Sequence, residues 1–420
     1  MQLANIKKEL GVATCALLQV PAAVHAADTD WDIDTAVLFY SESDNGVSAF
    51  EPAIYASKDL GDGQLIDLRL VVDVLTGATP NGAHASSVLQ TFTTPSGTGT
   101  YFAQPGETPK DDSFKDTRVA AGVDWTLPFN RLSRIKLGLN GSTEYDYQSL
   151  GVSATYLQDF NNRNTTFSAG LAFNNDTISP VGGVPTPLSN MRAAGTGTNR
   201  VGADDTKTVT DFILGITQVL SRKTLVQLNY SLGMSDGYLT DPYKIVTVVD
   251  QNGLPATSAF TNGDLPYLYE KRPDSRQINS LYFKVVQSLT RDVINFSYRY
   301  FWDDWGITSN TFDLKYRYEI GRGYLQPQVR YYLQDAADFY VHNLKLGDPL
   351  PDTVSSDYRL AKMTTTTLSL KYGYALGDNS ELSVRAGFMN QSVDDGDVPS
   401  IEETPDTDAI ILNAGYSISF

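Results

Sequence analysis

The chain is nearly devoid of thiol and imidazole. It has one cysteine, Cys15, and three histidines, His25, His84 and His342, in 420 residues. Cys15 falls inside a segment read below as a removable leader. The mature chain therefore has no thiol, which excludes disulfides, thiolate nucleophiles and cysteine metal sites. His84 and His342 fall in expected loops and are read as surface residues. Neither shares a strand face with a serine, so the histidine-centred machinery of barrel lipases and proteases is not in view. No zinc-ligand spacing, phosphate loop or dinucleotide fingerprint occurs. Only carboxylate-based hydrolysis, from pairs such as Asp303 and Asp304, escapes these exclusions, and the expectation is of no enzyme and no cofactor. Long hydrophobic runs are missing too. Mean hydropathy is -0.24 with 41% hydrophobic residues, which excludes a bundle of membrane-spanning helices. Cations are scarce, 32 against 49 acidic residues, and no nucleic-acid partner is expected.

What the chain has is alternation. In its last ten residues Leu412, Ala414, Tyr416, Ile418 and Phe420 share one strand face. Asn413, Gly415, Ser417 and Ser419 share the other. A period of two with one apolar and one small polar face suits a strand between hydrocarbon and water. Its final aromatic resembles the signal read by the barrel-assembly machinery of outer membranes. At the other end, Lys7 and Lys8 precede an apolar run from Leu10 to Val20, and Val24-His25-Ala26 offers small residues at the positions a signal peptidase reads. A leader over 1–26 is expected, with a mature domain over 27–420. The run is short of the roughly 20 apolar residues of a spanning helix.

Sixteen alternating segments are predicted, at 31–40, 48–57, 66–74, 117–125, 134–144, 149–157, 166–174, 208–219, 225–233, 277–287, 293–302, 308–319, 324–334, 364–374, 380–388 and 409–420. Every second connection carries tight-turn chemistry, as at Asp59-Leu-Gly-Asp-Gly63 and Gly321-Arg-Gly323. The others include long loops at 75–114, 175–207, 235–276, 335–358 and 390–408. Short turns at one end and long loops at the other imply an all-β transmembrane antiparallel barrel, with periplasmic turns and extracellular loops. Pro52 inside the second segment and the connection 145–148 are the weak points, and a miscount there would give 14 strands. A soluble sandwich would not need strict alternation of short and long connections, and no fixed repeat supports a β-helix.

Side-chain chemistry sets the facing. Phe312, Leu314, Tyr316 and Tyr318 are expected outside, with Asp313, Lys315, Arg317 and Glu319 inside. A lipid-facing Lys or Arg costs about 2–4 kcal/mol at mid-membrane, which fixes the register. Arg299 and Arg330 on the flanking strands join the lumen set. This group is read either as a pathway for an anionic or zwitterionic solute, or as opposite charges bracing the wall. Interleaving of acids and cations on the same strands favours bracing.

Removing Lys7, Lys8 and Glu9 with the leader leaves 30 basic and 48 acidic residues, net -18. The excess gathers in the long loops, so the outer rim should repel anions. Asp394, Asp395 and Asp397 could bind Ca²⁺, although their spacing fits no complete calcium loop and a solvated acidic loop is the simpler reading. Loop 235–276 has oppositely charged ends, and Asp236, Tyr238, Asp241, Lys271, Arg272 and Asp274 are the candidates for an inner constriction or partner site. Plain loop packing is the competing reading. Trp302 and Trp305 are expected as interfacial anchors.

Several stretches together resemble a known family. They are Leu75-Thr-Gly-Ala-Thr-Pro-Asn-Gly-Ala83, Ser235-Asp-Gly-Tyr-Leu-Thr-Asp-Pro-Tyr-Lys-Ile-Val246, Glu270-Lys-Arg-Pro-Asp-Ser-Arg276, Tyr298-Arg-Tyr-Phe-Trp-Asp-Asp-Trp-Gly306 and Arg330-Tyr-Tyr-Leu-Gln-Asp-Ala-Ala-Asp-Phe-Tyr340. They are similar to the proteobacterial outer-membrane barrel family catalogued as domain of unknown function 3570. The resemblance implies a barrel of unassigned function. It also implies a neighbourhood of a flavin transferase, a small lipoprotein and a thioredoxin-like protein. Three functions follow, in order of weight: a pore or substrate-selective channel, a scaffold for a lipoprotein or redox-linked envelope partner, and a barrel lipase. Outer-membrane lipid and lipopolysaccharide are the expected surroundings.

Overall fold

The computed structural model describes residues 31–111, 115–396 and 398–420. The expected leader and Asp397 lie outside the described residues. Sixteen strands form one closed antiparallel barrel: β1 (Trp31–Glu42), β2 (Ser48–Gly61), β3 (Gln64–Thr76), β4 (Lys115–Pro128), β5 (Ser133–Thr143), β6 (Tyr147–Phe160), β7 (Thr165–Ile178), β8 (Asp205–Ser221), β9 (Thr224–Gly237), β10 (Ser275–Ser288), β11 (Val293–Asp303), β12 (Thr308–Ile320), β13 (Gly323–Gln334), β14 (Lys362–Ala375), β15 (Ser380–Asp394) and β16 (Thr407–Ser419). Each strand pairs with its neighbours in sequence. β1 closes the cylinder on β16, with Asp32 opposite Ser419 and Glu42 opposite Ala409. No ladder edge is left open, which is what a barrel achieves.

The count of sixteen holds and fourteen does not. Pro52 has no N–H to give, and the ladder from β2 to β3 lapses between Phe50 and Ala53 to admit it. The connection between β5 and β6 is a tight turn closed by Glu144 N–H to the Tyr147 carbonyl at 2.7 Å. Between β2 and β3 the turn needs Asp62 and Gly63 at φ 55° and 78°, the left-handed geometry that matches strand twist in a two-residue hairpin.

The outer face is an apolar belt. Leu139, Leu150, Phe173, Leu214, Leu314 and Leu368 stand exposed on successive outward positions. A monomer in water does not leave so much contiguous apolar surface bare, so the belt is one that hydrocarbon solvates. Tyr300 stacks on the outward Trp302 at 5.3 Å, and Tyr298 meets Phe312 at 5.0 Å. Among the described residues no helix is long and apolar enough to cross a membrane; the strands do so instead.

The long connections have structure of their own. Asn190–Arg192, Asp264–Tyr269, Ile245–Val249 and Leu344–Lys345 form one four-stranded sheet, drawing the β7–β8, β9–β10 and β13–β14 loops together. Gln90–Thr93 pairs with Thr100–Ala103 in the β3–β4 loop. Phe92, Met191, Ile245, Tyr267 and Tyr269 pack between these pieces as a core. A second core joins Trp305, Ile307, Ala337, Phe339 and Leu360. Trp305 is thus no interfacial anchor: it is 4% exposed, and its indole N–H donates to the Ser275 carbonyl at 2.8 Å. Gly82 at φ 96° rests against the Ile245 carbonyl, where a Cβ would stand 2.5 Å away. The loops make a packed lid, with no separate plug domain needed.

Candidate functional site

Two polar systems could carry function, one on the inner wall and one inside the lid. On the wall, the pleat puts Asp313, Lys315, Arg317 and Glu319 of β12 on the inner face, opposite the exposed Phe312, Leu314 and Tyr318. Register places Arg330 of β13 beside Asp313 and Arg299 of β11 beside Thr311, on that same face. Lys315 Nζ lies 3.7 Å from Asp313, and Arg317 Nε donates to Glu319 at 2.6 Å. The Arg317 guanidinium covers the Tyr324 ring at 3.6 Å, and Arg299 stands 5.7 Å from the Phe301 ring. The six sequence candidates therefore share one arc of the lumen.

That arc is richer in cations than the six alone suggest. Lys315 feels the charges of Arg385, Lys284 and Arg330 as well as that of Asp313. Arg385 also hydrogen-bonds Gln328, which in turn donates to Asp313 at 2.5 Å. Lys371 sits 3.9 Å from Glu381 nearby. So cations from β10, β12, β13, β14 and β15 gather toward the short-turn end around few carboxylates. Across the lumen carboxylates predominate: Asp67 and Asp124 share Lys136 at 2.8 and 3.3 Å, and Asp73 takes Arg118 at 2.5 Å. Glu51, Asp116, Asp176 and Asp211 extend this arc toward the loop end, with Lys207 3.7 Å from Asp176 among them. Individual pairs brace the wall, yet the two sides differ in net sign.

Inside the lid lies a buried ionic latch. Asp241, Lys244, Glu270, Arg272 and Asp357 are each 6% exposed or less. Arg272 bridges Glu270 at 2.6 Å and Asp357 at 2.8 Å, while Arg359 pairs with Asp357 and reaches Asp241 at 3.0 Å. Lys244 lies 3.8 Å from Asp357 and donates to the Pro80 carbonyl. Ser355 donates to Glu270, whose carboxylate also accepts from the Asp241 N–H at 2.7 Å. Charges taken out of water persist only when paired, and each of these has an opposite charge within 4 Å. Burial would raise the Asp357 carboxyl, but Arg359 and Lys244 prevail and hold it below the usual carboxylate range. Burial pushes Glu270 up and Lys244 down. For Arg272 burial alone would weaken the charge, and Glu270 and Asp357 more than restore it.

The six candidates of loop 235–276 divide between latch and rim. Its two ends do fold onto each other: Arg272 N–H donates to Thr240 at 3.0 Å, and Gly237 N–H to the Asp274 carbonyl at 2.8 Å. Asp241 and Arg272 enter the latch. Tyr238 is half-buried with its hydroxyl unpartnered, pushed up by burial and by Asp241. Lys271 joins Val354 through backbone bonds, and Asp236 and Asp274 are exposed at the rim. Sequence reasoning missed Lys244, Glu270, Asp357 and Arg359. The calcium candidates diverge: Asp394 holds Lys362 at 2.7 Å, whereas Asp395 accepts from Tyr340 at 3.0 Å and from Thr404 N–H at 2.6 Å. His84 and His342 are not surface residues. His84 is buried and His342 half-buried in the lid, with rings 5.1 Å apart.

The family described as "Protein of unknown function (DUF3570)" matches residues 7–418. No functionally curated protein is significantly similar to the chain. Among solved structures, a bacterial polysaccharide outer membrane secretin is 8% identical, with 94% of this chain and 99% of that one covered and a TM-score of 0.43. The CymD monoaromatic hydrocarbon channel is 10% identical, covering 94% and 89% at a TM-score of 0.40. OccK3 (OpdO) of Pseudomonas aeruginosa is 8% identical, covering 94% and 96% at 0.41.

Proposed function

Since the chain belongs to the DUF3570 family, whose description assigns no function, we propose a role from the barrel itself: a substrate-selective outer-membrane channel for small zwitterionic solutes, closed over by its own loops. The single supporting observation is the difference in net charge between the two inner arcs. Lys284, Lys315, Arg330 and Arg385 converge on Asp313 on one side, and carboxylates predominate on the other. A wall that needed only bracing would balance its charges locally. A solute carrying both an ammonium and a carboxylate is oriented by such a field, whereas a bare anion must first pass the acidic loops. Sixteen strands leave room for water between the arcs. In this reading the barrel sits in the outer membrane of a Gram-negative cell after export by the leader over 1–26, long loops outward, and the apolar belt supports that setting. The reading is of a passage with no catalytic step, and solute passage through the lumen requires no cofactor there.

Liposome swelling with purified protein tests this. Faster swelling in glycine than in a singly charged anion of equal size is expected, and equal rates for protein-containing and empty liposomes would refute it. A second reading, a scaffold for a small lipoprotein, draws on the latch, which cross-braces the lid more firmly than a freely open pore requires. A lipoprotein that copurifies in mild detergent, with no swelling in any solute, would favour that reading.

A further inference from the structure

His84 and His342 lie in different connections, β3–β4 and β13–β14, yet their rings stand 5.1 Å apart at 39°. Between them comes Glu402 from the β15–β16 connection. Its Oε2 is 3.9 Å from His84 Nε2 and 3.7 Å from His342 Nε2. The His84 side chain is 1% exposed, and neither of its ring nitrogens has a hydrogen-bond partner. The Gly253 backbone lies beside that ring without reaching hydrogen-bonding geometry. His342 Nε2 is likewise buried and unpartnered. Three unsatisfied imidazole nitrogens at one buried point are costly, and an ion taking the one lone pair that each neutral ring offers would satisfy two of them.

We propose that His84, His342 and Glu402 bind a divalent transition metal ion of the zinc type, joining three lid connections. Imidazole nitrogen with a carboxylate oxygen is a donor set that suits zinc, copper or nickel and not calcium or magnesium. A tetrahedral zinc site with bonds near 2.0–2.2 Å holds its donors about 3.4 Å apart. The separations of 3.7 and 3.9 Å are a few tenths of an ångström wider than that. Among the described residues no three donors already stand closed around a point, so the ion would draw these together. The outer layer is already arranged. Asp395 Oδ1 lies 4.0 Å from His342 Nδ1, and it is itself held by Tyr340 and the Thr404 N–H. A carboxylate behind the far nitrogen leaves Nε2 free as the ligand, the usual carboxylate–histidine–metal relay. Ser356 fixes the chain beside it, donating to the Val341 carbonyl at 2.7 Å. Burial, and then the second imidazole, push His84 down to about 4. Burial pushes His342 down as well, against Asp395. Water would complete the coordination.

Titration calorimetry of the full mature chain, chelator-stripped in detergent, with zinc chloride tests the site. One zinc per chain is expected. The double variant His84→Ala/His342→Ala should lose at least a hundredfold in affinity, and Glu402→Gln about tenfold. Absence of zinc binding by the wild type, or affinity unchanged in both variants, would overturn the site. Should the double variant fail to fold, cobalt bound to the unaltered chain decides the matter. Intense visible bands of a low-coordinate ion support it, and the pale spectrum of an octahedral ion refutes it.

Discussion

Wall and lid hold their charges in opposite ways. On the wall each ionic side chain sits on a strand whose ladder bonds are complete without it, and although Asp73, Asp176 and Arg385 are buried, others keep contact with lumen water. Lys136 illustrates this, with a third of its side chain exposed between Asp67 and Asp124. In the lid no long ladder exists, and Lys244, Arg272 and Asp357 are dry. The wall can therefore lose a charge cheaply and change its selectivity, whereas the lid cannot lose one without opening. The same residue types serve function in one region and closure in the other.

The largest expected effect comes from breaking the lid. Asp357→Ala leaves Lys244, Arg272 and Arg359 with their shared carboxylate gone, and removal of one partner from a buried ionic group costs about 3–5 kcal/mol. Hydrogen exchange should rise across 238–274 and 335–361 while β10–β14 stay protected. Uniform loss of protection would erase the distinction between the regions. The next effect belongs to the lipid face of the wall. Leu314→Lys should destabilise the folded barrel by about 2–4 kcal/mol in urea titrations from vesicles, if Leu314 lies near mid-membrane. The inward Lys315→Leu should cost far less.

Acid should separate the regions more gently. Asp357 is held below the usual carboxylate range, so its contribution is complete above the unfolded value, about 3.9, and is lost only as pH falls through the depressed one. Two lid imidazoles, His84 and His342, resist protonation in the folded state and would loosen the wild type over pH 7 to 5 on their own account. In the His84→Ala/His342→Ala variant, loop exchange, corrected for intrinsic rate, should therefore show no loosening between pH 7 and pH 5, and loosening of that variant at pH 5 would contradict the latch. The smallest effect on stability, within about 1 kcal/mol, is expected for Lys315→Gln with Arg330→Gln, since partly exposed pairs are weak. Reversal potentials should nonetheless shift toward cation preference.

The contrast also explains what the amino-acid order reveals. In β12 the choice between Leu314 and Lys315 is a choice between hydrocarbon and water, and it repeats every two residues, so strand, face and register are readable locally. Turn residues such as Asp62 and Gly63 do the same for the connections. The latch has no such period. Lys244 and Asp357 are separated by four barrel strands, β10 to β13, and nothing beside either names the other. The only local hint is the crowding of Glu270, Lys271 and Arg272 beside the apolar Tyr267, Leu268 and Tyr269, which marks a charged end entering a core. His84 and His342 misled for the same reason: a loop position suggests solvent, and only packing between loops buries them. Trp305 reads as a membrane anchor because it lies three residues from the outward Trp302, yet the chain has already turned over at Asp303 and Asp304.

Single-channel recording of the wild type beside Asp357→Ala, in planar bilayers, tests the union of polarised lumen and closed lid most directly. Small or infrequent steps from the wild type and larger, longer openings from the variant are expected. Bilayers that stay silent with both proteins would show that the barrel carries no solute path, and the channel would have to be given up.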